Sequence, residues 1–512
     1  MSYTVGLDFG THQTKICVED ATNPAQKIYE FYEFEDLDGN SSVLLPSIVQ
    51  INNDNTVSYG FVDNNKCKTI PQSTPKPQLE LPKEPILKLP TKPQKIKKQS
   101  DWKENLLRLK NKLFNIKTEY DRQLEKWRLE CVETTNEYNL KLEQHKKETK
   151  KLTKAYEIAL AKWKSENLSK EHIFRYFKLA TFSPQDRQYK ISPEIISVWY
   201  LTFVLFKLQK KYGNDFFTQM GVPYSINEED SEKQKNIAYK ILITANLLVS
   251  KYGNIDNFLN TKYTDLLKDT ELSNYTKQDI VDYGINVVPE AFAGLSSITQ
   301  QGKLGGGMHL LADIGGGTTD IAFFTITEKL PNIHAVISFP QGLNYIFEEY
   351  LQTNNLLSMS DVQQLFRNNQ KDFESSVLYY HRRLIDNTNK MIRRVEQEFL
   401  SKKTGFNVSR LRDALKDKPI VYCGGGSMYD LMRIKLSYFT DIRLIDKSLL
   451  GIPYVKNKNI DVSLFTILAT SYGLSIQLEN DIKMTPIENV FSHLKREEIE
   501  KKNDYEHGLT DT

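Results

Sequence analysis

The 512-residue sequence lacks the features of a secreted, membrane-spanning or zinc-binding protein. Its four cysteines, Cys17, Cys67, Cys131 and Cys423, have no CxxC spacing, which argues against a disulfide framework and a zinc site. The longest nearly apolar run, residues 195–206, is too short to cross a bilayer. No basic region followed by an apolar core occurs near Met1, so no signal peptide is indicated. We therefore expect a soluble, cytoplasmic protein that does not bind a membrane.

The sequence also has little net charge, because 68 Lys and Arg nearly balance 65 Asp and Glu. The distribution is uneven, since residues 91–170 hold 21 Lys and Arg against 12 Asp and Glu. Acidic residues are interleaved with the basic ones in this segment, and no base-reading motif occurs. This pattern argues against nucleic acid as a partner.

Glycine and proline divide the chain into segments. Residues 71–93 contain seven of the 18 prolines, which excludes a helix and predicts an extended linker over residues 67–100. From residue 94 through residue 183 neither glycine nor proline occurs. Residues 101–170 are rich in Lys, Glu, Leu and Gln, and this composition predicts an α-helical insertion.

The apolar residues of the insertion recur at steps of three and four, which is typical of a coiled coil. One uninterrupted helix would be about 105 Å long and would need a partner. A hairpin turning near residues 133–137 would bury its own apolar stripe, so we expect a hairpin in a monomer. A solvated charged arm, an arm that binds a partner protein and an arm that joins copies of this chain all fit the pattern. The stripe comprises Leu106, Leu109, Leu113, Ile116, Tyr120, Tyr138, Leu142, Leu152, Tyr156, Ala159 and Trp163.

On both sides of the insertion, short apolar strands alternate with longer amphipathic segments. The strands read TVGLDFG, INVVP, HLLADIG and PIVYCG, and the amphipathic segments include residues 231–252 and 377–400. This alternation predicts an α/β fold.

Two glycine-containing turns that lie some 305 residues apart have similar sequences. VGLDFGTHQTKICV begins at residue 5 and LLADIGGGTTDIAF begins at residue 310. Each turn follows one apolar strand and precedes another, and its N–H groups can form a nest for an anion. A single glycine turn is equally compatible with a mobile loop, but two matching turns favour a phosphate clamp between two related lobes. The aligned pairs are Asp8 with Asp313, Gly10 with Gly315, Thr14 with Thr319, and Ile16 with Ile321.

The acids of these turns and a third glycine cluster extend the prediction from a phosphate to a nucleotide. Asp8 and Asp313 would repel phosphate, so we expect them to hold Mg²⁺, mostly through water. Residues 424–426 and Ser427 lie between an apolar strand and an amphipathic helix. Bare backbone at this place would admit a ribose or a flat ring, with affinity for an anion at the helix N-terminus. A simple strand-to-helix turn is the alternative.

Three glycine motifs and three further segments, in order along the chain, resemble one superfamily. GLDFGTHQT, ADIGGGTTD and VYCGGGS resemble the two phosphate motifs and the adenosine motif of the actin, sugar-kinase and heat-shock chaperone ATPases. Within this superfamily the sequence most resembles the ATPase domain of DnaK-type chaperones. Residues 221–247 resemble its VP strand and the helix that follows, residues 285–295 its first connecting motif, and residues 468–476 its closing helix. The resemblance covers residues 1–65 and 172–480. It implies a two-lobed actin-like ATPase fold of duplicated ribonuclease-H-like lobes, with a coiled-coil arm inserted.

The resemblance also implies domain boundaries, ligands and residue roles. The expected ligands are ATP or ADP and Mg²⁺. The segments would be lobe I at residues 1–66 and 171–308, lobe II at 309–420, the adenosine motif and closing helix at 421–480, and a charged tail at 481–512. The catalytic set would be Asp8, Glu290, Asp313, Thr318 and Asp320, with Asp8 and Asp313 as the acids that hold the metal. The phosphate contacts would be Gly10, Thr11, His12, Gly315, Gly316, Gly317 and Thr318. The adenosine contacts would be Gly424, Gly425, Gly426, Ser427 and Tyr429, with Lys390 or Arg394 at the adenine edge. For His12, an exposed turn residue is the alternative.

Three departures from the DnaK-type pattern limit what the resemblance implies. No lysine of this sequence matches the one that these chaperones place near the hydrolytic water. We therefore expect slow hydrolysis or water positioned by Glu290. Tyr429 stands where an arginine usually stacks on the adenine. About thirty residues follow the closing helix, too few for a peptide-binding domain with a lid, so independent peptide holding is not expected.

Three functions fit these motifs. The leading hypothesis is a chaperone-like switch that binds and hydrolyses ATP and whose nucleotide state controls a partner protein through the arm or the lobes. The second is an actin-like filament former, since the superfamily includes polymerising members, although the arm would obstruct simple stacking. The third is a small-molecule kinase, for which no acceptor-site motif is present.

Overall fold

The computed structural model describes residues 2–23, 26–67, 106–167, 172–182, 189–223, 228–272, 274–299, 303–304, 307–327, 330–353, 359–401, 418–436, 439 and 441–476. The predicted linker beyond Cys67 and the predicted tail at 481–512 lie outside these residues. No helix in the described stretches has both the length and the apolar character needed to span a membrane.

The described residues form strands and α-helices that precede and follow one long helix in the sequence. The strands are β1 (Tyr3–Phe9), β2 (Gln13–Asp20), β3 (Ile28–Phe31), β4 (Phe34–Glu35), β5 (Ser41–Ser42), β6 (Leu45–Pro46), β7 (Ile48–Ile51), β8 (Val57–Tyr59), β9 (Ile173–Arg175), β10 (Phe216–Val222), β11 (Ile285–Pro289), β12 (Gly307–Ile314), β13 (Thr319–Thr327), β14 (Leu330–Phe339), β15 (Pro419–Cys423) and β16 (Asp441–Leu444). The helices are α1 (Leu106–Asn167), α2 (Phe177–Phe182), α3 (Pro193–Tyr212), α4 (Glu228–Tyr252), α5 (Ile255–Asn260), α6 (Tyr263–Asp269), α7 (Lys277–Asp282), α8 (Glu290–Thr299), α9 (Leu343–Thr353), α10 (Met359–Asn368), α11 (Glu374–Ser401), α12 (Lys447–Leu450) and α13 (Phe465–Ser475).

The first sheet has the strand order β11-β10-β1-β2-β3. β11, β10 and β1 are parallel, and β2 and β3 continue the sheet in antiparallel pairs. Val5, Leu7 and Phe9 of β1 are fully buried, as is typical of a central strand covered on both faces. Parallel neighbours cannot be joined by tight turns, and helices such as α3 and α4 provide the crossovers.

The second sheet repeats this arrangement with the order β14-β13-β12-β15-β16. β12, β15 and β16 are parallel, while β13 and β14 are antiparallel. In both sheets the first strand in sequence is central, the next two form hairpins on one side, and the last two lie parallel on the other. The α/β class predicted from the sequence is confirmed, and the repeated strand order agrees with two related lobes.

The two glycine turns occupy the same place in their sheets. Each connects the central strand to its hairpin partner, and four residues separate the last cross-strand pair of each hairpin, 10–13 in the first sheet and 315–318 in the second. The alignment made from sequence therefore matches the pairing register of both hairpins. The cross-strand pairs that flank the turns are Asp8 with Lys15 and Phe9 with Thr14, and Asp313 with Asp320 and Ile314 with Thr319.

A buried layer joins the two sheets. Helices α8 and α13 pack in a cluster that includes Phe31 of the first sheet and Leu311 of the second. Gly473 of α13 touches the Ala293 carbonyl of α8 so closely that a Cβ at this position would collide with it. The close crossing lets one pair of helices bury apolar surface from both lobes.

Residues 70–169 form a compact unit of their own, and its described part is one helix, α1. The expected hairpin at residues 133–137 is wrong, because the helix continues through this segment. Neither glycine nor proline interrupts the backbone there. Thr134 donates its hydroxyl hydrogen to the Glu130 carbonyl at 2.6 Å, so its side chain is satisfied inside the helix instead of breaking it. A helix of this length is about 93 Å long.

Candidate functional site

A cavity of about 570 Å³ lies against both glycine turns, and its size is typical of a small-molecule site. Fourteen predicted site residues line it, namely Asp8, Gly10, Thr11, His12, Glu290, Asp313, Gly315, Gly316, Thr318, Asp320, Gly424, Gly425, Gly426 and Tyr429. Gly317 and Ser427 do not line it. A Cβ at Gly317 would lie 2.9 Å from Thr11 Cγ2, so this residue packs against the opposite turn. Ser427 is fully buried, and its hydroxyl donates to the Cys423 carbonyl.

The first turn is fixed from behind by Ser47. The Ser47 N–H donates to the His12 carbonyl at 2.7 Å, and the Ser47 hydroxyl donates to the Gly10 carbonyl at 2.7 Å. At the base of the turn, Lys15 Nζ lies 2.7 Å from Asp8 Oδ2. Both of these side chains line the cavity. The turn therefore presents a cation and an acid together, which suits a phosphate that is bound with a metal ion.

The second turn is fixed by the start of α9. Its Gly315 N–H donates to the Thr318 carbonyl at 2.9 Å within the turn. The N–H groups of Leu343 and Asn344 donate to the Gly315 and Gly316 carbonyls at 3.0 and 2.9 Å. Because these two carbonyls are bonded on the α9 side, the helix holds the turn in place against the cavity.

A buried ion pair joins Lys178 of α2 to Glu290 at the start of α8. Burial alone would lower the pKa of Lys178, but the carboxylates of Glu290, Asp8 and Asp320 together raise it, so the lysine carries a charge. Both members of the pair line the cavity. No lysine could be matched from the sequence to the one that DnaK-type chaperones place near the hydrolytic water, whereas the structure places Lys178 beside the acids of the cavity. The residue is supplied by the short helix that follows the insertion.

Asp313 and Asp320 are paired across the hairpin of the second sheet. Burial, together with the charges of Asp8 and Glu290, raises the pKa of Asp313 to about 6. Burial, together with Glu290 and Asp313, also raises the pKa of Asp320 well above its usual range. Crowded carboxylates of this kind are stabilised in their ionised form by a nearby cation.

The charges in the cavity fit a divalent cation. Four carboxylates and two ammonium groups leave a formal charge of −2 when all six are ionised, and one Mg²⁺ would offset it. In the part of the chain that the structure describes, no three His, Cys, Asp or Glu side chains are arranged to chelate a metal. The carboxylates that line the cavity suit a magnesium ion held largely through water, which is its usual mode of binding in proteins. The six groups are Asp8, Glu290, Asp313, Asp320, Lys15 and Lys178.

The third glycine motif forms another wall of the cavity. Gly424 has a φ of 85°, a left-handed conformation that glycine adopts without a steric penalty. The Tyr429 ring packs edge-on against Phe366 of α10, with ring centroids 4.8 Å apart. This contact brings α10 to the same wall, where Gln363 and Arg367 line the cavity.

The polar groups on this wall differ from those predicted. Lys390 and Arg394 of α11 were the candidates for the adenine edge, and neither lines the cavity. Gln363 and Arg367 are on the preceding helix, one turn apart, and both do. Side chains four residues apart lie on the same helix face, so a Q-x-x-x-R pattern was the available signal. Without a fixed register for α10 and α11, it did not stand out.

We predict a large difference between alanine substitutions at Gly424 and Gly425. A Cβ at Gly424 would collide with Asp313 Oδ1 and lie 2.5 Å from the Ile314 carbonyl oxygen, in a left-handed backbone. Gly424→Ala is therefore expected to cost at least about 2 kcal/mol of unfolding free energy. Gly425→Ala, with no atom within 4 Å of the new Cβ, is the matched control. Urea denaturation of both variants measures the difference, and equal stabilities would contradict the close packing at Gly424.

Comparisons with known proteins identify no family for this chain. No protein-family model and no curated protein matches the sequence. A crystal structure of MreB 5 of Spiroplasma citri bound to AMPPNP is 11% identical and has a TM-score of 0.40, covering 98% of this chain and 99% of that chain. A crystal structure of MreB5 of Spiroplasma citri bound to ADP is 12% identical with a TM-score of 0.39, covering 93% and 96%. Similarity at this level transfers no function, which must come from the site itself.

Proposed function

We propose that this chain is an ATPase of the actin, sugar-kinase and heat-shock chaperone type, which binds ATP with Mg²⁺ between two related lobes and hydrolyses it. One observation carries the proposal: the two glycine turns occupy equivalent places in duplicated sheets and face one cavity that also contains the Lys178–Glu290 pair. A mobile-loop interpretation of the turns does not explain why both are fixed by backbone hydrogen bonds, at Ser47 and at the start of α9.

Different residues of the cavity would bind the phosphates, hold the metal ion and position the attacking water. Lys15 and the N–H groups of the two turns would bind phosphate oxygens, as glycine-rich turns do. Asp8 and Asp313 would hold water molecules of a magnesium ion, which neutralises phosphate charge when bound. Glu290, held in place by Lys178, would accept a hydrogen bond from the attacking water. Such a site works by positioning and electrostatics, as phosphoryl transfer requires.

The test is direct measurement of nucleotide binding and turnover by the intact chain. We expect Mg-ATP and Mg-ADP to bind with micromolar or tighter affinity in calorimetry, and EDTA to weaken binding strongly. Phosphate release should accompany ATP binding at a rate above the buffer control. If neither nucleotide binds in the presence of Mg²⁺, the proposal is wrong; if ATP binds without phosphate release, only the hydrolytic part is wrong.

We propose that the nucleotide state of the ATPase controls self-association of the chain, in preference to binding of a client protein. Helix α1 is a single helix, and several of its large apolar side chains are exposed, including Phe114 (69%), Leu129 (61%), Val132 (59%) and Leu140 (60%). At 100° per residue these four fall within about 80° of each other around the helix. Such a face is costly to leave in water, and an identical helix from a second copy offers a matching one.

This exposed face favours the actin-like filament former over the chaperone-like switch. A different partner protein that binds the same face is the alternative. Sedimentation of the intact chain with Mg-ATP and with Mg-ADP distinguishes them. Nucleotide-dependent assembly that is lost on deletion of residues 70–169 supports self-association. A chain that stays monomeric with both nucleotides but captures a partner in one of them supports the switch. A phosphorylated metabolite would instead identify a small-molecule kinase.

A further inference from the structure

The imidazole of His12 lies between the two glycine turns. His12 belongs to the first turn, and its ring lies directly against Gly316 of the second, where any Cβ would collide with it. Thr11 makes a similar approach to Gly317. The second turn can come this close to His12 and Thr11 only because Gly316 and Gly317 have no side chains. These glycines therefore allow the two turns to contact each other, in addition to leaving room for a ligand.

Asn344 completes a connection across the cavity. Its side-chain amide is hydrogen-bonded to Nε2 of His12, while its backbone N–H donates to the Gly316 carbonyl at 2.9 Å. The residue is 6% exposed. Asn344 thus links the side chain of the first turn, through its own side-chain amide, to the backbone of the second turn, through its backbone N–H.

Tyr176 supports the imidazole on the lobe I side. Its ring lies edge-on to the His12 ring with centroids 5.0 Å apart. It has a φ of 61°, a strained left-handed conformation for a tyrosine, and it lies two residues before Lys178. Strain of this kind persists only where surrounding contacts hold it, and it concentrates at functional sites. His12, Tyr176 and Asn344 all line the cavity.

We propose that the His12 imidazole, through its hydrogen bond to Asn344, holds the two glycine turns together and thereby controls how fast nucleotide leaves the closed cavity. The proposal rests on the proposed function, since it concerns the release of the nucleotide that the site binds. His12 is assigned as a positioning residue, which acts on the second turn through Asn344 and not as a group that takes part in the chemistry.

The physical reason is that both turns must separate before a nucleotide held between them can leave. Separation breaks the His12–Asn344 hydrogen bond and removes the ring from Gly316, and both groups then need other partners. The contact therefore stabilises the closed cavity relative to the open one. A group with this differential effect shifts the equilibrium between the two states, and a lower barrier to opening shortens the lifetime of the bound nucleotide.

The experiment is a double-mutant cycle on the dissociation rate of a fluorescent ADP analogue, measured by stopped flow on the intact chain with Mg²⁺. We expect His12→Ala and Asn344→Ala each to speed dissociation about tenfold, equivalent to about 1.4 kcal/mol. The double variant should dissociate no faster than either single variant, since both remove the same contact. His12→Gln retains an acceptor at similar reach and should restore a rate within about threefold of the original.

Controls separate this inference from a general loss of stability and from the proposed function. His145→Gln, on helix α1, should leave the dissociation rate unchanged. Thermal melting of each variant without nucleotide shows whether any faster release merely reflects unfolding. Additive effects of His12→Ala and Asn344→Ala, or an effect of His12→Ala that Asn344→Ala lacks, would overturn the inference while nucleotide binding stands. Absence of nucleotide binding by the unmodified chain would instead overturn the proposed function.

Discussion

Replacing Lys178 with alanine is expected to lower ATP turnover at least about 100-fold, while Mg-ATP affinity changes only a few-fold. Without Lys178 the Glu290 carboxylate is no longer held where it would accept a hydrogen bond from the attacking water, and loss of one such preorganised group typically lowers turnover by a factor of this size. Lys178 lies in the cavity and pairs with Glu290, whereas the phosphate turns and Lys15 remain to bind the nucleotide. Single-turnover phosphate release, measured beside equilibrium binding, separates the two effects.

Two further variants are needed to interpret the effect of Lys178→Ala on turnover. Loss of the lysine leaves the Glu290 carboxylate in a site with three other acids, so the fold itself will be weakened. Combining Lys178→Ala with Glu290→Gln removes that unpaired charge and should recover much of the stability without recovering turnover. Lys210→Ala, an exposed lysine on α3, is the matched control. Unchanged turnover in a stably folded Lys178 variant would refute a hydrolytic role for this residue.

Asp313→Asn is expected to stabilise the protein without ligand and to abolish its stabilisation by Mg-ATP. The pKa of Asp313 is raised from its ordinary value of 3.8 to about 6 by burial and by the neighbouring acids Asp8 and Glu290. At about pH 7.5 the ionised side chain therefore destabilises the fold by about 3 kcal/mol relative to the unfolded chain. Asparagine is neutral and can still accept the hydrogen bond from Thr470, which is 3.3 Å long in the native protein.

The sign of the pH dependence follows from the direction of this shift. A carboxyl group with a raised pKa binds its proton more tightly in the folded state. Its destabilising effect is therefore absent below about pH 4, grows as the pH rises to about 6, and is constant above that. The advantage of Asp313→Asn should follow the same course in urea denaturation with EDTA present. Equal stability of the two proteins at about pH 7.5, or a preserved Mg-ATP shift in the variant, would contradict the placement of Asp313 in the cation site.

Much of the candidate site could be predicted because its main parts are local in sequence. Both glycine turns lie between a strand and its hairpin partner, so a short motif fixes their conformation and the acid at their base. The same register in both hairpins, Asp8 with Lys15 and Asp313 with Asp320, explains why aligning the motifs by their acids worked. Lys15 was missed although it is only seven residues from Asp8. The pairing across the hairpin was the available signal for it.

For the helical insertion, the local sequence pattern predicted helix but could not distinguish one long helix from a hairpin. The absence of glycine and proline and the three-four spacing of apolar residues predicted helix, and the described part is helix throughout. The same spacing suits one long helix or a hairpin of two paired halves. An apolar stripe can pack against another molecule in the first case and against the other half of the hairpin in the second. The hairpin was expected only because it would bury the stripe within one chain. No turn-forming residue at positions 133–137 supports it, and the helix runs on.

The sequence by itself determined the α/β class, the two glycine turns and the acids beneath them, because each depends on residues that are neighbours along the chain. Only the tertiary structure decided which distant side chains meet these turns. Lys178 reaches Glu290 across 112 positions of the chain, and Asn344 reaches His12 across 332. No period or motif links such residues, since their meeting depends on how two sheets pack on the shared helices α8 and α13. The sequence thus defines the two turns and their acids, and the packing of the two sheets supplies the other groups that line the cavity.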